Sequence, residues 1–417
     1  MKTENLYGQD IDEISILITR INMFLLDNSI TKEQLYSQFV CGDTLSNTFS
    51  RKFSVVLGNP PWGYDFNKEE TAHLTANYIT AKNKGMESYD LFIEKGLSML
   101  EEGGYLAYVL PEAILSVNSH QQARELIVKN TAFRFVSYLG NAFSGVQCPA
   151  IILGVQKGSH GETKGCRIGL NNKEFIINEN RDVDATSFSF NMCDEEYDCL
   201  QVISSVQNAK YLANNAKFAL GIVTGNNKEY IANEKADGME VILKGSDIFR
   251  YAMKESNNYI HFAPEKFQQV APTEMYRAEE KLLYRFIAEV PVFTYDNQQT
   301  LSLNSCNILI PQIEGMNIKY ILAVLNSSVA AYFINKKYNS VKLLRSHIES
   351  LPIPMVSAEK QNDIIRKVDH IMNSSENISG PYEDLDGDIM ALYGLTAEQT
   401  DIIRTSLRGK ASFLKDC

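Results

Sequence analysis

Cysteine pairing is the first thing this 417-residue sequence lacks. Its seven cysteines (Cys41, Cys148, Cys166, Cys193, Cys199, Cys306 and Cys417) are scattered, and none forms a C-x-x-C pair. Neither a zinc site nor a disulfide framework is indicated, and a reduced, cytoplasmic setting is expected. There is no signal-peptide pattern and no apolar run long enough to span a bilayer, so no membrane partner is expected. A basic excess is also missing: 40 Lys and Arg face 51 Asp and Glu, a net charge of −11. That excludes a nonspecific nucleic-acid coat, which needs clustered cations, but not a local basic face on an acidic body. The histidines, His73 and His120 among them, show no ligand spacing, and no acidic cluster suits a metal-dependent nuclease, so neither a metal nor cleavage is expected. Proline and tryptophan are scarce, at 11 and 1 residues. The remaining composition, 44% hydrophobic and 22% charged, is that of a globular chain of about two or three domains.

The most informative residues draw on those scarce types. Asn59-Pro60-Pro61-Trp62 follows the apolar run Phe53-Ser54-Val55-Val56-Leu57 after one glycine, Gly58. Two prolines fix φ and remove two backbone donors, which leaves carbonyls free to accept. Pro60 also keeps Asn59 out of helical geometry. The Asn59 amide oxygen and the Pro60 carbonyl can together grip one planar amino group, while Trp62 offers a π-face to the ring that carries it. The alternative is a rigid turn that ends a core strand, with Trp62 as a packed aromatic.

The first 160 residues alternate between strand and helix patterns. Leu6 to Asp10 and Gln38 to Cys41 read as short strands, each followed or ended by an acid, Asp10 and Asp43. Between them, Ile14, Leu17, Ile18, Ile21 and Leu25 recur at helical spacing over Glu13 to Leu26. Tyr89 to Leu100 reads as a helix stopped by Gly103-Gly104. Tyr105 to Leu110, Phe133 to Leu139 and Pro149 to Val155 read as further strands. This alternation predicts an α/β fold with an open, mostly parallel sheet and ligands at the carboxyl ends of its strands, where Asp10, Asp43 and Asn59 stand. Residues 161–215 are polar and broken, and read as a connector. A second domain is expected over 216–417, closing with a helical pair in which Thr396 caps and Gln399 completes a capping box. Lys336, Lys337, Lys342 and Arg345, with His347, form a candidate basic patch for DNA; the alternative is a solvated face.

Taken in order, these segments resemble the adenine-N6 DNA methyltransferases of type II and type IIG restriction–modification systems, in the gamma arrangement with a TaqI-like specificity domain. The catalytic signature is Phe53 to Trp62. Gly8-Gln9-Asp10-Ile11-Asp12 resembles the acidic strand end that binds the ribose of S-adenosylmethionine, and Gly42-Asp43 the acid that contacts its adenine. Tyr89 to Leu115 resembles the helix and strand after the catalytic loop. Asn141 to Val146 resembles the segment whose aromatic, here Phe143, packs on a flipped base opposite Trp62. Gly221 to Asn227, Leu243 to Ile248, Leu325 to Ser328, His347 to Pro354 and Ala391 to Thr396 resemble successive parts of the specificity domain.

The resemblance implies a Rossmann-like methyltransferase domain followed by an α+β target recognition domain, with S-adenosylmethionine as cofactor and double-stranded DNA as partner. It also implies a Gly-rich cofactor loop ahead of the Asp10 strand. Only nine residues precede Asp10 and none supplies that loop, so the methyltransferase domain reads as N-terminally truncated and its cofactor site as incomplete. An N-terminal methyltransferase or nuclease segment or subunit is the partner this implies. Asp10 has the alternative of a solvated strand-end acid, Asp43 of an N-cap or loop acid, and Phe143 of a core aromatic. Two other functions stay open: a non-catalytic DNA-recognition subunit, and a protein-glutamine methyltransferase, against which the long region after the catalytic part argues.

Overall fold

The computed structural model describes residues 5–82, 85–143, 148–171, 173–183, 185–374, 378–411 and 414. The chain divides into two units between Phe190 and Asn191. The division falls inside the expected connector. Its first part joins the first unit as a hairpin, and Asp194–Ser204 is a helix of the second.

In the first unit the chain runs β1 (Gly8–Asp10), α1 (Glu13–Leu26), α2 (Lys32–Gln38), β2 (Phe39–Cys41), β3 (Phe53–Gly58), α3 (Lys68–Asn77), α4 (Ser88–Met99) and β4 (Leu100–Pro111). It continues through α5 (Gln121–Asn130), β5 (Thr131–Gly140), β6 (Ala150–Lys157), β7 (Arg167–Leu170) and β8 (Lys173–Ile176). Capping chemistry sets several starts. Asp12 accepts from Ile14 N and Ser15 N to begin α1, and Asn67 with Glu70 forms a capping box on α3.

The expected single, mostly parallel sheet is not what forms. β1 and β2 make a two-stranded parallel pair, and a separate six-stranded sheet has the order β3-β4-β6-β5-β7-β8. Within it β3 and β4 are parallel, as are β5 and β7, but β6 runs antiparallel to both β4 and β5. The sequence pattern could not show this reversal, because strand direction depends on where each connection returns. Gly103-Gly104 does not stop a helix either. α4 ends at Met99 and β4 begins at once, with the glycines in a bulge where the register on β3 moves from Phe53↔Leu100 to Val55↔Tyr105. A Cβ on Gly104 would lie 3.0–3.1 Å from the carbonyl oxygens of Glu101, Phe53 and Ser54. That close backbone approach is open only to glycine.

α4 and α5 enclose one core with the inner faces of β4, β5 and β6, including Ile93, Leu106, Leu110, Phe133 and Ile151. α1 forms over the expected residues, but only Ile16 is buried, and Ile14, Leu17, Ile18, Ile21 and Leu25 all face outward.

The second unit centres on an antiparallel four-stranded sheet in the order Ala216–Ala219, Cys306–Pro311, Lys281–Arg285, Phe293–Asp296. Helices Ile318–Leu325, Ser328–Tyr338, Ala358–Asn373, Ser379–Leu392 and Ala397–Leu407 share its main core with residues of that sheet. Asn326 ties helix to sheet by accepting from Phe293 N and donating to Phe293 O, both at 2.9 Å. The Thr396–Gln399 capping box forms as expected. Among the described residues no single helix is long and apolar enough to cross a membrane.

Candidate active site

Asn59, Pro60, Pro61 and Trp62 emerge at the carboxyl end of β3 and lead toward α3. Asn59 is exposed, and among the described residues its carboxamide makes no hydrogen bond. The two proline carbonyls differ. The Ser88 hydroxyl, at the first residue of α4, donates to the Pro61 carbonyl, while no described group donates to that of Pro60. The loop is thus anchored at its Pro61–Trp62 half, while at the other end Asn59 offers an exposed, unengaged acceptor and the buried Pro60 has a carbonyl that no described group engages.

Trp62 is half-buried against the core of the first unit. Its indole Nε1 is buried without a hydrogen-bond partner among the described residues, a donor left over by the fold. The Phe143 ring meets it edge-to-face, with centroids 5.3 Å apart and planes at 88°. The two predicted stacking residues are therefore brought together. A sandwiched base needs two roughly parallel faces about 7 Å apart, twice a van der Waals stacking distance. The observed edge-to-face contact leaves no such space between them. The rest of the predicted segment, Ser144 to Val146, lies outside the described residues.

Behind Ser88 stands a buried group that the sequence reading had left as plain structure. His120 Nδ1 lies 2.9 Å from an Asp90 carboxylate oxygen, and its Nε2 lies 2.8 Å from the Tyr89 hydroxyl. With the carboxylate at Nδ1, that nitrogen donates and Nε2 accepts from Tyr89. Burial pushes the Asp90 carboxyl up, opposed by the His120 hydrogen bond, and burial likewise pushes the Tyr89 hydroxyl well above its usual range. These partners fix the first turn of α4, and Ser88 with it. The signal in the sequence was the run Ser88-Tyr89-Asp90, but its partner lies thirty residues away on another element.

Asp10 and Asp43 come together at the carboxyl ends of the parallel pair β1 and β2, where Gly42 N donates to Asp10 O at 2.8 Å. Asp10 is exposed and accepts from Asp12 N at 2.9 Å through one carboxylate oxygen. Asp43 accepts from Leu45 N and Ser46 N at 3.0 and 3.2 Å and from the Ser46 hydroxyl. It is a loop-capping acid whose remaining lone pairs face outward. Gly42 is constrained by close approach, since a Cβ there would lie 2.9 Å from Gln9 Nε2. The Gln9 amide is itself buried without a hydrogen-bond partner among the described residues. No described group of His, Cys, Asp or Glu is arranged to hold a metal ion.

The basic patch in the second unit is largely neutralised. Lys336 pairs with Glu196 at 2.8 Å, and Arg345 pairs with Glu349 at 2.8 Å while its guanidinium lies over Phe218. Lys337 lies over the Phe333 ring, and His347 is buried and stacked on Tyr338 with centroids 4.0 Å apart. Lys342 and Arg345 remain exposed.

Comparison with known proteins places both units. Residues 4–143 match the Eco57I restriction-modification methylase family, and residues 240–353 match the TaqI-like C-terminal specificity domain. A match to an Eco57I-type restriction–modification methylase is thus followed along the chain by a match to a TaqI-like specificity domain. The methylase unit carries Asn59 to Trp62, Asp10, Asp43 and Phe143; the specificity unit carries the basic residues. The type II methyltransferase M.VspI of Vibrio sp. (strain 343) is 28% identical over 252 residues, 59% of this chain and 59% of that protein. The type II restriction enzyme and methyltransferase RM.Eco57I of Escherichia coli is 22% identical over 60% of this chain and 29% of its own length. The chain therefore spans less than two thirds of these relatives. Among solved structures, that of the type IIL restriction-modification enzyme MmeI in complex with DNA shares the fold, with a TM-score of 0.61 at 11% identity, over 98% of this chain and 66% of that one. The methylase unit has the methyltransferase-like α/β fold and the specificity unit follows it, as the resemblance implied.

Proposed function

We propose that this chain carries the catalytic and recognition parts of a site-specific DNA methyltransferase that acts on adenine N6. The observation that carries the reading is the pair of unengaged acceptors at the carboxyl end of β3 beside Trp62, the exposed Asn59 carboxamide oxygen and the carbonyl of the buried Pro60. An exocyclic amino nitrogen is a poor nucleophile because its lone pair spreads into the ring. Asn59 and Pro60 each accept one of its hydrogens, which draws the nitrogen toward tetrahedral geometry and localises the lone pair. Fixed acceptors of this kind act by positioning and by preorganised dipoles. The nitrogen bonds to the methyl carbon as the carbon–sulfur bond breaks with its electron pair left on sulfur, a neutral thioether leaving group, and the nitrogen then sheds one proton to solvent.

The methyl group comes from S-adenosylmethionine, whose sulfonium makes it electrophilic. Asp10 and Asp43 fit the cofactor's hydroxyl and amino donors, because both are acceptors at adjacent strand ends and Asp10 keeps an unengaged carboxylate oxygen. The target base must leave the duplex, at a cost of a few kcal/mol. Stacking on Trp62, about 1–3 kcal/mol per base, offsets much of it. Phe143 swings from its edge-on contact to cover the second face. Of the expected patch, Lys342 is exposed and carries no ion pair among the described residues, and Arg345 is exposed but paired with Glu349, so Lys342 is the cation open to phosphate.

The test is expression of the chain together with a segment that supplies the Gly-rich cofactor loop, in a host without adenine methylation, with modified nucleosides measured by mass spectrometry. N6-methyladenine appears, and Asn59→Ala lowers it by about 100-fold or more, the effect of losing one preorganised polar contact at a reacting centre. N4-methylcytosine in its place refutes the base assignment. A second reading, a DNA-recognition part without catalysis, is favoured by the separation of the β1–β2 pair from the main sheet. DNA binding with neither methylated nucleoside and no cofactor binding supports it.

A further inference from the structure

We propose that His120 is a positioning residue for the amino-group clamp, setting the Asn59–Trp62 loop through the first turn of α4 and Ser88. The role rests on the clamp reading above, in which His120 itself meets no reacting atom.

The first turn of α4 has no cap of its own. Glu87, just ahead of the helix, provides no side-chain hydrogen bond to it. A helix end without a capping acceptor is prone to fray. Yet Ser88, Tyr89 and Asp90, its first three residues, are all buried, and Ser88 there donates to the Pro61 carbonyl. The anchor comes from His120, at the end of the short helix Asn118–His120. One imidazole takes two consecutive residues of the turn, Asp90 through Nδ1 and Tyr89 through Nε2. Its ring also lies against that of Tyr89, with centroids 5.0 Å apart. Consecutive helix residues project about 100° apart. A rigid ring that grips two of them fixes the rotation of α4 about its axis, and so the direction in which Ser88 points.

Stability alone does not ask for this group. The Asp90 and His120 side chains are each 4% exposed. Apolar side chains of similar volume would fill the space without the cost of burying a carboxylate, but they would not fix direction. His120 is held from behind in turn. Its backbone N donates to Val117 O at 3.1 Å, and the Arg124 guanidinium donates to Val117 O and Ile114 O at 2.8 and 2.9 Å. Glu112 N, at the start of the same segment, donates to Pro149 O at 2.8 Å, where the chain re-enters the sheet after Phe143. Residues 112–120 are thus tied to the Trp62 side of the loop through α4 and Ser88, and to the chain beyond Phe143 through Pro149.

The test breaks the group in two ways: His120→Leu and, should that variant misfold, Tyr89→Phe, which removes only the hydroxyl. In the purified chain Trp62, the sole tryptophan, reports the loop through quenching by acrylamide. Each variant raises the quenching constant, and Ser88→Ala raises it at least as far. In the Ser88→Ala background neither variant adds to it, as for groups that act through one bond. Phe190→Leu, whose ring packs on Phe133 and Phe188 in the same core, lowers stability in urea but leaves quenching unchanged. With a segment that supplies the Gly-rich cofactor loop, His120→Leu lowers kcat for adenine methylation by up to about 100-fold at unchanged KM for DNA, the scale of a displacement of about 1 Å at a reacting centre. Quenching unmoved by both variants, effects that add to that of Ser88→Ala, or a rise with Phe190→Leu as large as with His120→Leu overturns the role of His120. So does a raised KM with kcat unchanged. Absence of methylation by the unsubstituted protein counts against the clamp reading alone, and the quenching of Trp62 still decides the role of His120.

Discussion

Lys281 and Asp296 face each other directly on adjacent antiparallel strands, with Nζ 2.6 Å from a carboxylate oxygen and both side chains wholly buried. Lys281 also donates to Tyr276 O at 2.7 Å. Asp296 accepts from Gln298 N, Thr300 N and the Thr300 hydroxyl at 2.9–3.0 Å, so the carboxylate organises the following turn. At 2.6 Å and an effective dielectric near 20, the attraction is about 6 kcal/mol. Desolvation costs several kcal/mol per ion, so the intact pair contributes little net stability. Breaking it is another matter. Lys281→Met leaves a buried carboxylate without its counter-ion and destabilises the second unit by about 3–5 kcal/mol. Lys281→Met combined with Asp296→Asn removes the stranded charge but leaves Thr300 N without its acceptor, and recovers about half of that loss. Urea unfolding is the assay. Trp62, the sole tryptophan, reports the first unit by fluorescence, and far-UV circular dichroism reports both. A shift below about 1 kcal/mol for Lys281→Met, or a double variant weaker than the single one, refutes the reasoning.

Two further outcomes follow from buried cations and bases. Arg124 is fully buried and donates to the carbonyls of Ile114, Val117, Ala185 and Thr186 at 2.7–3.1 Å. Lysine cannot span that fork, so Arg124→Lys lowers the stability of the first unit by about 2–3 kcal/mol, read from the Trp62 transition in urea. Burial pushes His347 down to about 4, and its Nδ1 accepts from Leu344 N at 3.4 Å. A histidine with a depressed folded pKa favours the fold fully above its unfolded value of about 6.5 and loses that contribution as pH falls toward 4. The melting temperature of the second unit therefore drops between pH 6.5 and 4, and His347→Gln flattens the drop; an unchanged slope contradicts the assignment.

How much of this was legible in the sequence varies with the physics involved. α1 formed over Glu13–Leu26 as its spacing predicted, because helix formation is a local matter of period and cap. Its apolar residues share one face, and that face is exposed, because period shows which residues share a face but not whether anything covers it. The acceptors at Asn59 and Pro60 could be read from chain chemistry alone. The Ser88 anchor and the Tyr89–His120–Asp90 group could not, because they join elements through a tertiary fold. The ion pairing within the basic patch was hidden for a similar reason. Lys336 finds Glu196 from a helix 140 residues earlier, a pairing that no charge count along the sequence reveals.

The Ser88 anchor has a thermodynamic consequence. A catalytic loop that orders only when substrate arrives meets its conformational entropy cost at that moment, about 1–2 kcal/mol for each residue fixed. Here two prolines and the Ser88 hydroxyl hold the loop before any base is present. That ordering belongs to folding and not to the reaction. In the proposed reaction the activation barrier is then mainly enthalpic, and a loosened loop shows itself first in the temperature dependence of the rate.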